Sequence, residues 1–315
     1  MSSKFCPHCN CNTQAVKIGT TSAGRQRYKC RECQRTWTNK PRTIRLENKI
    51  WNDFVFRNLT TDSLANKYGF SKRKITHILR VHNVPLIVPP NNYPTKVICM
   101  DVTYVGRKYG FLSVLDAHTK KCLYCELTKS YESTYDYEIA LRSLKTHGIN
   151  PRAAVVDGKL SVIRMLEKEG LRVQMCQFHM LRAVNQYLTK RPVLDPNKEL
   201  RNISLCLVKT KRKDFENMFY HWKIRHESWL QERYVDEMRR TVYSHQNTRT
   251  LVHAYMLFMK NLFIFQDYPE LNIPNTNNLI EGVHSAIKQK LNAHRGTTKY
   301  LKTKIVRSFL SERTG

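Results

Sequence analysis

Residues 96–106 read "KVICMDVTYVG". Apolar and β-branched residues run through it almost unbroken, the pattern of a strand covered on both faces. One acid, Asp101, interrupts it. A carboxylate in so apolar a strand is costly unless a metal ion or a hydrogen-bond network receives it.

Downstream, "YGFLSVLDAHT" and "CLYCELTK" read as two more short strands joined by turns. Next, "SYESTYDYEIALRSLKTHG" has helical periodicity, with Tyr137, Ile139, Ala140, Leu141 and Leu144 available for packing. After it, "RAAVVDG" is another buried strand, ending in Asp157, followed by a helix over "LSVIRMLEKEG" and a strand over "LRVQMC". Three strands, a helix, a strand, a helix and a strand is the order of an RNase H-like sheet. One acid of that fold lies on the first strand and a second at the tip of the fourth, the places of Asp101 and Asp157. Two-metal phosphoryl chemistry needs such a cluster, because acidic oxygens hold divalent ions about 4 Å apart. Asp116, at the end of the second strand, is a weaker rival and reads as a turn residue.

A third acid lies in "IPNTNNLIEGVHSAIKQK", residues 273–290. Asn278 and Glu281 have the spacing of a capping box, so Glu281 has a structural reading at the start of a helix. It also has a second one: Glu281, His284, Ser285 and Lys288 form one polar stripe, which a helix packed beside the sheet would turn toward the two aspartates. About a hundred residues separate this stretch from His179, too many for the sheet domain alone. Within them, "DFENMFYHWKIRHESWLQERY" and "RTLVHAYMLFMKNLFIF" look helical, with Phe215, Phe219, Trp222 and Trp229 at packing intervals.

The first 42 residues carry "CPHC" (Cys6, Cys9) and "CREC" (Cys30, Cys33), twenty residues apart. A two-residue gap lets both thiolates of a turn reach one tetrahedral ion, so these four read as a zinc ribbon. His8 and Cys11 are spare potential ligands and are set aside. "TTDSLANKYGFSKRKITHILR" then places Ala65, Gly69, Ile75 and Ile78 where a helix-turn-helix needs a small residue, a turn glycine and two core contacts. Ser71 is positioned to cap the second helix, and Lys72, Arg73 and Lys74 crowd its first turn, where cations oppose the helix dipole. Approaching phosphates and base edges would reverse that penalty. Ser71, Lys72, Arg73, Lys74, Thr76, His77 and Arg80 are therefore the expected DNA-reading residues. The prolines of "NVPLIVPPNNYP" mark a linker.

Composition agrees with a polyanionic partner. The chain has 54 basic and 25 acidic residues, a net charge of +29, and counterion release drives such a protein onto phosphate backbones. Residues 1–96 hold 18 basic and 4 acidic side chains, so the excess is shared by both halves. No run of 18 apolar residues exists, and "MSSKFCPHCN" lacks the apolar core of a signal peptide. Ten cysteines in an unexported chain argue for metal or free thiols. The expected place is the bacterial cytoplasm, on the nucleoid through DNA, with no membrane.

The motifs "MDVTYVG", "VVDG", "CQFH" and "IPNTNNLIEG…AHRG", in this order, resemble bacterial insertion-sequence transposases of the Mutator-like DDE type, in the branch headed by a zinc ribbon. That resemblance implies a catalytic triad of Asp101, Asp157 and Glu281 holding Mg2+ (or Mn2+), and zinc in the ribbon. It implies a supporting role for Cys176 and His179, for which a buried cysteine and a helix-start histidine is the alternative. The implied architecture is multidomain α+β: a zinc ribbon (1–42), a helix-turn-helix (43–84), a linker (85–95), and an RNase H-like α/β catalytic domain. The latter is split into 96–182 and 273–315 by an all-helical insertion (183–272). Lys288, His294 and Arg295, with the basic C-terminal tail, are expected along a DNA backbone leaving the cleft. The implied activity is cleavage and strand transfer at the element's ends, on double-stranded DNA, by a homodimer or higher oligomer. A transposase-derived DNA-binding regulator without catalysis shares every feature of the N-terminal part and remains the rival.

Overall fold

The computed structural model describes the chain except residues 1–5, 7–8, 10–14, 23, 25, 39–41, 107–108, 129–130 and 314–315, and the side chains of 42–45 and 313. His8 and Cys11 lie outside the described residues. The chain divides into two compact units, Met1–Val84 and Pro85–Gly315.

The first unit begins with a three-stranded antiparallel sheet, β1 (Val16–Thr20), β2 (Gln26–Lys29) and β3 (Thr36–Thr38), in the order β1-β2-β3. Its strands bury little, and Tyr28 is the one fully buried strand residue among those described. Three helices follow: α1 (Arg42–Val55), α2 (Thr61–Tyr68) and α3 (Lys72–Val81). Gly69 ends α2 in the left-handed region at φ 65°, which glycine adopts without penalty. Ser71 then caps α3, its hydroxyl accepting from Lys74 N at 3.3 Å. Ile75, Ile78 and Leu79 bury one side of α3, in a core with Ile50, Trp51, Phe54 and Leu64.

The second unit is a mixed α/β domain. Its sheet comprises β4 (Val97–Tyr104), β5 (Gly110–Asp116), β6 (Cys122–Leu127), then after α4 (Thr134–Thr146) β7 (Ala153–Val156), and after α5 (Leu160–Lys168) β8 (Arg172–Met175). The spatial order is β6-β5-β4-β7-β8, with the first three antiparallel and β4, β7 and β8 parallel. Ile98, Met100 and Val102 join the main apolar core with Tyr137, Leu141 and Leu144 of α4. The strand period of two sends Cys99, Asp101 and Thr103 to the opposite face.

Between β8 and the last helices run α6 (Gln177–Tyr187), α7 (Asp195–Leu205), α8 (Arg212–Arg225), α9 (Glu227–Leu230), β9 (Arg233–Val235), β10 (Thr241–Tyr243), α10 (Gln246–Phe258) and α11 (Ile264–Asp267). Phe215, Phe219, Trp222 and Tyr255 fill the interior of this region as core, while Tyr220 and Tyr234 are exposed. It is not all helical. Residues 233–243 form an antiparallel hairpin, with Tyr234 paired to Val242. Asp236 closes the turn by accepting from Arg240 N at 2.8 Å, and β-branched and aromatic residues flank it on both strands.

Finally come α12 (Asn278–Ala293), beside β4, and α13 (Lys299–Arg313), beside β6. The basic tail is thus a packed helix: Ile305, Val306 and Leu310 are buried. Arg307 pairs with Glu126 at 2.7 Å and is committed to the fold.

Candidate functional site

In the first unit, one sulfur from each of Cys6, Cys9, Cys30 and Cys33 lies within 4.8 Å of every other. The Cys6–Cys33 and Cys9–Cys30 sulfurs are 3.7 Å apart. A disulfide would bring them to about 2.05 Å. Sulfurs about 2.3 Å from one tetrahedral zinc ion stand about 3.8 Å from each other. The residues present therefore fit zinc.

Ser71, Lys72, Arg73, Lys74, Thr76, His77 and Arg80 are all exposed, on the side of α3 away from Ile75 and Ile78. Lys72 reaches Asp62 at 2.9 Å, both chains well exposed, and Lys74 lies 3.8 Å over the Phe70 ring. Thr76 turns its hydroxyl back to Lys72 O at 2.9 Å.

In the second unit, parallel pairing registers Val97 with Ala153, Ile98 with Ala154 and Cys99 with Val155. Carrying that register two residues on sets Asp101 level with Asp157, on neighbouring strands about 4.8 Å apart. Asp101 Oδ1 accepts from Val102 N at 2.8 Å, and its Oδ2 is 3.3 Å from His284 Nδ1. Burial, then the charge of Asp101, push the Asp157 carboxyl above the usual aspartate range, with His179 working against them.

Glu281 comes from α12, and the capping-box reading fails. Asn277, not Asn278, precedes the helix, and its side chain makes no cap bond. The Glu281 carboxylate instead meets α6: its Oε1 is 3.7 Å from His179 Nε2 and 3.8 Å from Arg182. Asp157 Oδ1 and Glu281 Oε1 are buried with no hydrogen-bond partner, as are His179 Nδ1 and His284 Nε2. Buried acceptors of this kind call for a cation or donor from outside the chain.

Cys176 and Gln177 tie the start of α12 down. Asn277 N donates to Cys176 Sγ at 3.1 Å, Gln177 N donates to Asn275 O at 3.0 Å, and Asn275 Nδ2 donates to Gln177 Oε1 at 3.0 Å. The neighbouring Cys176 sulfur raises the His179 imidazole above its usual pKa; burial opposes this, and Asp101 and Asp157 add to it.

His284, a member of the polar stripe read from the sequence, faces Asp101 at 3.3 Å. One group goes beyond the residues singled out there. Glu132 is a fourth carboxyl: burial, then Asp157, raise its pKa, while Tyr137 donates to its Oε1 at 2.8 Å. Nothing in "SYEST" announced it. Asp116, the weaker rival, accepts from His118 N and Thr119 N at 2.9 and 2.6 Å and closes the β5–β6 turn. Cys122 and Cys125 are buried and join no metal-sized cluster among the described residues. Lys288 and Arg295 are exposed, whereas His294 is buried, because its ring turns inward at the end of α12. That removes His294 from any DNA-facing set.

No family model matches the chain, and no curated protein matches it. Among solved structures, it is similar to a chain of the Drosophila P element transposase strand transfer complex, with a TM-score of 0.31 and 10% identity over 90% of this chain and 81% of that one. It is also similar to a chain of the simian T-cell lymphotropic virus intasome in complex with PP2A regulatory subunit B56 gamma (TM-score 0.22, 12% identity, 50% and 68% covered). A third is the large terminase nuclease of thermophilic phage G20c (TM-score 0.21, 16% identity, 54% and 93% covered). Likeness this loose fixes neither fold nor activity. No helix among the described residues is long and apolar enough to cross a membrane.

Proposed function

We propose that the chain is a DNA transposase of the DDE type, with an RNase H-like catalytic domain, acting on the ends of its own insertion sequence. One observation carries this: the β4–β7 register carries Asp101 level with Asp157, just past the end of β7, and Glu281 Oε1, buried and without a hydrogen-bond partner, lies beside His179. The donor set fits magnesium or manganese, which take carboxylate oxygens. Asp101, Asp157 and Glu281 would hold the ions. When bound, the ions activate the attacking oxygen and neutralise the leaving one.

The chain's own groups do the rest. His284 fixes the rotamer of Asp101 through its 3.3 Å contact. Cys176 and Gln177 fix where α12 begins, and so where Glu281 points. Arg182, beside Glu281 and exposed to solvent, is placed to meet a phosphate oxygen. In this reading water opens a terminal phosphodiester to free a 3′-OH, which attacks the target strand in line and displaces its 3′-oxygen. Zinc holds the N-terminal ribbon together, and the exposed face of α3 reads the element's ends in the major groove. Lys288 and Arg295 lie along the departing duplex. Synapsis of two ends makes a dimer or larger assembly.

The test is strand transfer with purified full-length protein, Mg2+ and the element's terminal repeats. Glu281→Ala, Asp101→Ala and Asp157→Ala should each lose joining by about 10³-fold or more, with end binding retained. Joining by Glu281→Ala at the wild-type rate would remove that residue from the site.

A further inference from the structure

A cavity of about 610 Å³ opens in the second unit where the β5–β6 turn meets α12. Tyr93, Leu279 and Val283 give it an apolar lining, and Lys120, Lys121, Asn278 and Gly282 a polar rim. Two of these rim positions carry the residue that local structure disfavours. Lys120 sits at φ 67°, in the left-handed region where glycine or asparagine is preferred. Gly282 lies in the first turns of a long helix, where alanine or leucine is preferred. Packing does not demand that glycine: a Cβ there would meet nothing within 4 Å. So a cation stands where a glycine would be cheaper, and a glycine where a side chain would be cheaper, on one cavity.

Lys121 lies 5.3 Å over the Tyr93 ring, and Tyr93 is held by Thr119 at 2.8 Å, so this end of the rim is fixed. Asp101 pairs with Ser113, and Ile98 with Asp116. The turn therefore lies three or more residues along the sheet from Asp101, about 10 Å at 3.3 Å per residue.

We propose that this cavity holds one unstacked nucleotide of a DNA strand, its base against Leu279 and Val283 and its phosphate between Lys120 and Lys121. The apolar lining suits a base face, the lysines suit its phosphate, and the bare backbone at Gly282 gives the base room. Asn278, exposed at the helix start, offers both a donor and an acceptor to the base edge. This rests on the reading that the carboxylate pocket acts on DNA.

The experiment uses the full chain and a short labelled single-stranded oligodeoxythymidine, followed by fluorescence anisotropy over a salt series with no divalent ion added. Lys120→Gly relieves the strained φ, so its melting temperature should hold or rise. Its plot of log affinity against log salt should flatten by about 0.7. Gly282→Leu strengthens the helix and fills the cavity, and should weaken binding about tenfold. Lys213→Ala, an exposed lysine of α8 away from the cavity, is the charge control and should change little. Wild-type affinity in Gly282→Leu, or equal losses in Lys120→Gly and Lys213→Ala, overturns the proposal. Joining assays on the same variants separate the two readings: an inactive wild type that still shows the pocket-dependent binding counts against the transposase and not against the pocket.

Discussion

Four sulfurs at the N-terminus lie within 4.8 Å of one another, with pairs at 3.7 Å, and need only an ion to complete a tetrahedron. The carboxylates of the second unit do not close in this way; no other such cluster occurs among the described residues. They stand on a sheet and a helix, with Asp157 Oδ1 and Glu281 Oε1 lacking a hydrogen-bond partner and with His179 and Arg182 beside Glu281. The first arrangement is closed, as structural metal sites are, and the second open, as sites that must admit a substrate are. Two ions about 4 Å apart also need ligands spread wider than one ion does.

The largest expected effect breaks this comparison at its closed end. With strands of three to five residues and a single buried tyrosine, the ribbon has too little core to fold alone. Metal binding supplies about 10 kcal/mol or more in such sites. Chelator, or Cys30→Ser, should abolish hydrogen-exchange protection in β1–β3 and leave the sheet of the second unit protected. Protection in β1–β3 that survives chelation would sink the zinc reading. The acid-to-alanine series probes the open end and comes next in size.

How much of this could be read from the sequence differs by element. Asp101 stood out because it interrupts an apolar strand and Asp157 because it ends one, and the β4–β7 register carries the two to the same level. Glu281 was ambiguous by spacing alone: Asn278 matched a capping box, but the turn before it places Asn277 ahead of the helix, which only the tertiary bond from Asn277 N to Cys176 decides. The "CQFH" and "IPNTNN" segments were legible as motifs without being legible as partners, because a contact spanning 101 residues leaves no local periodicity. The hairpin at 233–243 was missed since its strands are three residues long, too short to establish alternation. Burial of His294 depends on how α12 ends, and no neighbour signals it.

Two aspartates sharpen the comparison further: Asp53 is buried and Asp157 half-buried, and they are treated oppositely. Asp53, on α1, accepts from Lys67 and from Tyr68 Oη at 2.6 Å, with Arg57 at 3.2 Å. Burial raises its pKa, but the Lys67 and Tyr68 bonds and the nearby cations outweigh that and hold it low. In return the Tyr68 phenol, desolvated and bonded to Asp53, is pushed up to about 12. Every oxygen of Asp53 is in use, and its work is to lock α2 onto α1. Asp53→Ala should cost the first unit about 2–3 kcal/mol. Because the folded pKa is the lower one, the contribution is full above the unfolded value of about 3.9 and disappears as pH falls through the folded value. Thermal melts of wild type and Asp53→Ala should therefore converge in acid.

Asp157 should behave in the reverse sense. Its folded pKa is raised, by burial and then by Asp101, so the native state binds its proton more readily than the unfolded chain. At neutral pH the ionised side chain therefore works against folding. Asp157→Asn removes that charge at nearly constant shape. With no divalent ion added, the second unit should melt higher than in the wild type. Joining should be lost in the same variant. Added Mg2+ should stabilise the wild type and leave Asp157→Asn nearly unmoved, because the ion gains most where the carboxylates repel one another. A variant that melts lower than wild type would mean that Asp157 is held by the fold as Asp53 is, and the contrast between a closed structural site and an open catalytic one would fail at its central residue.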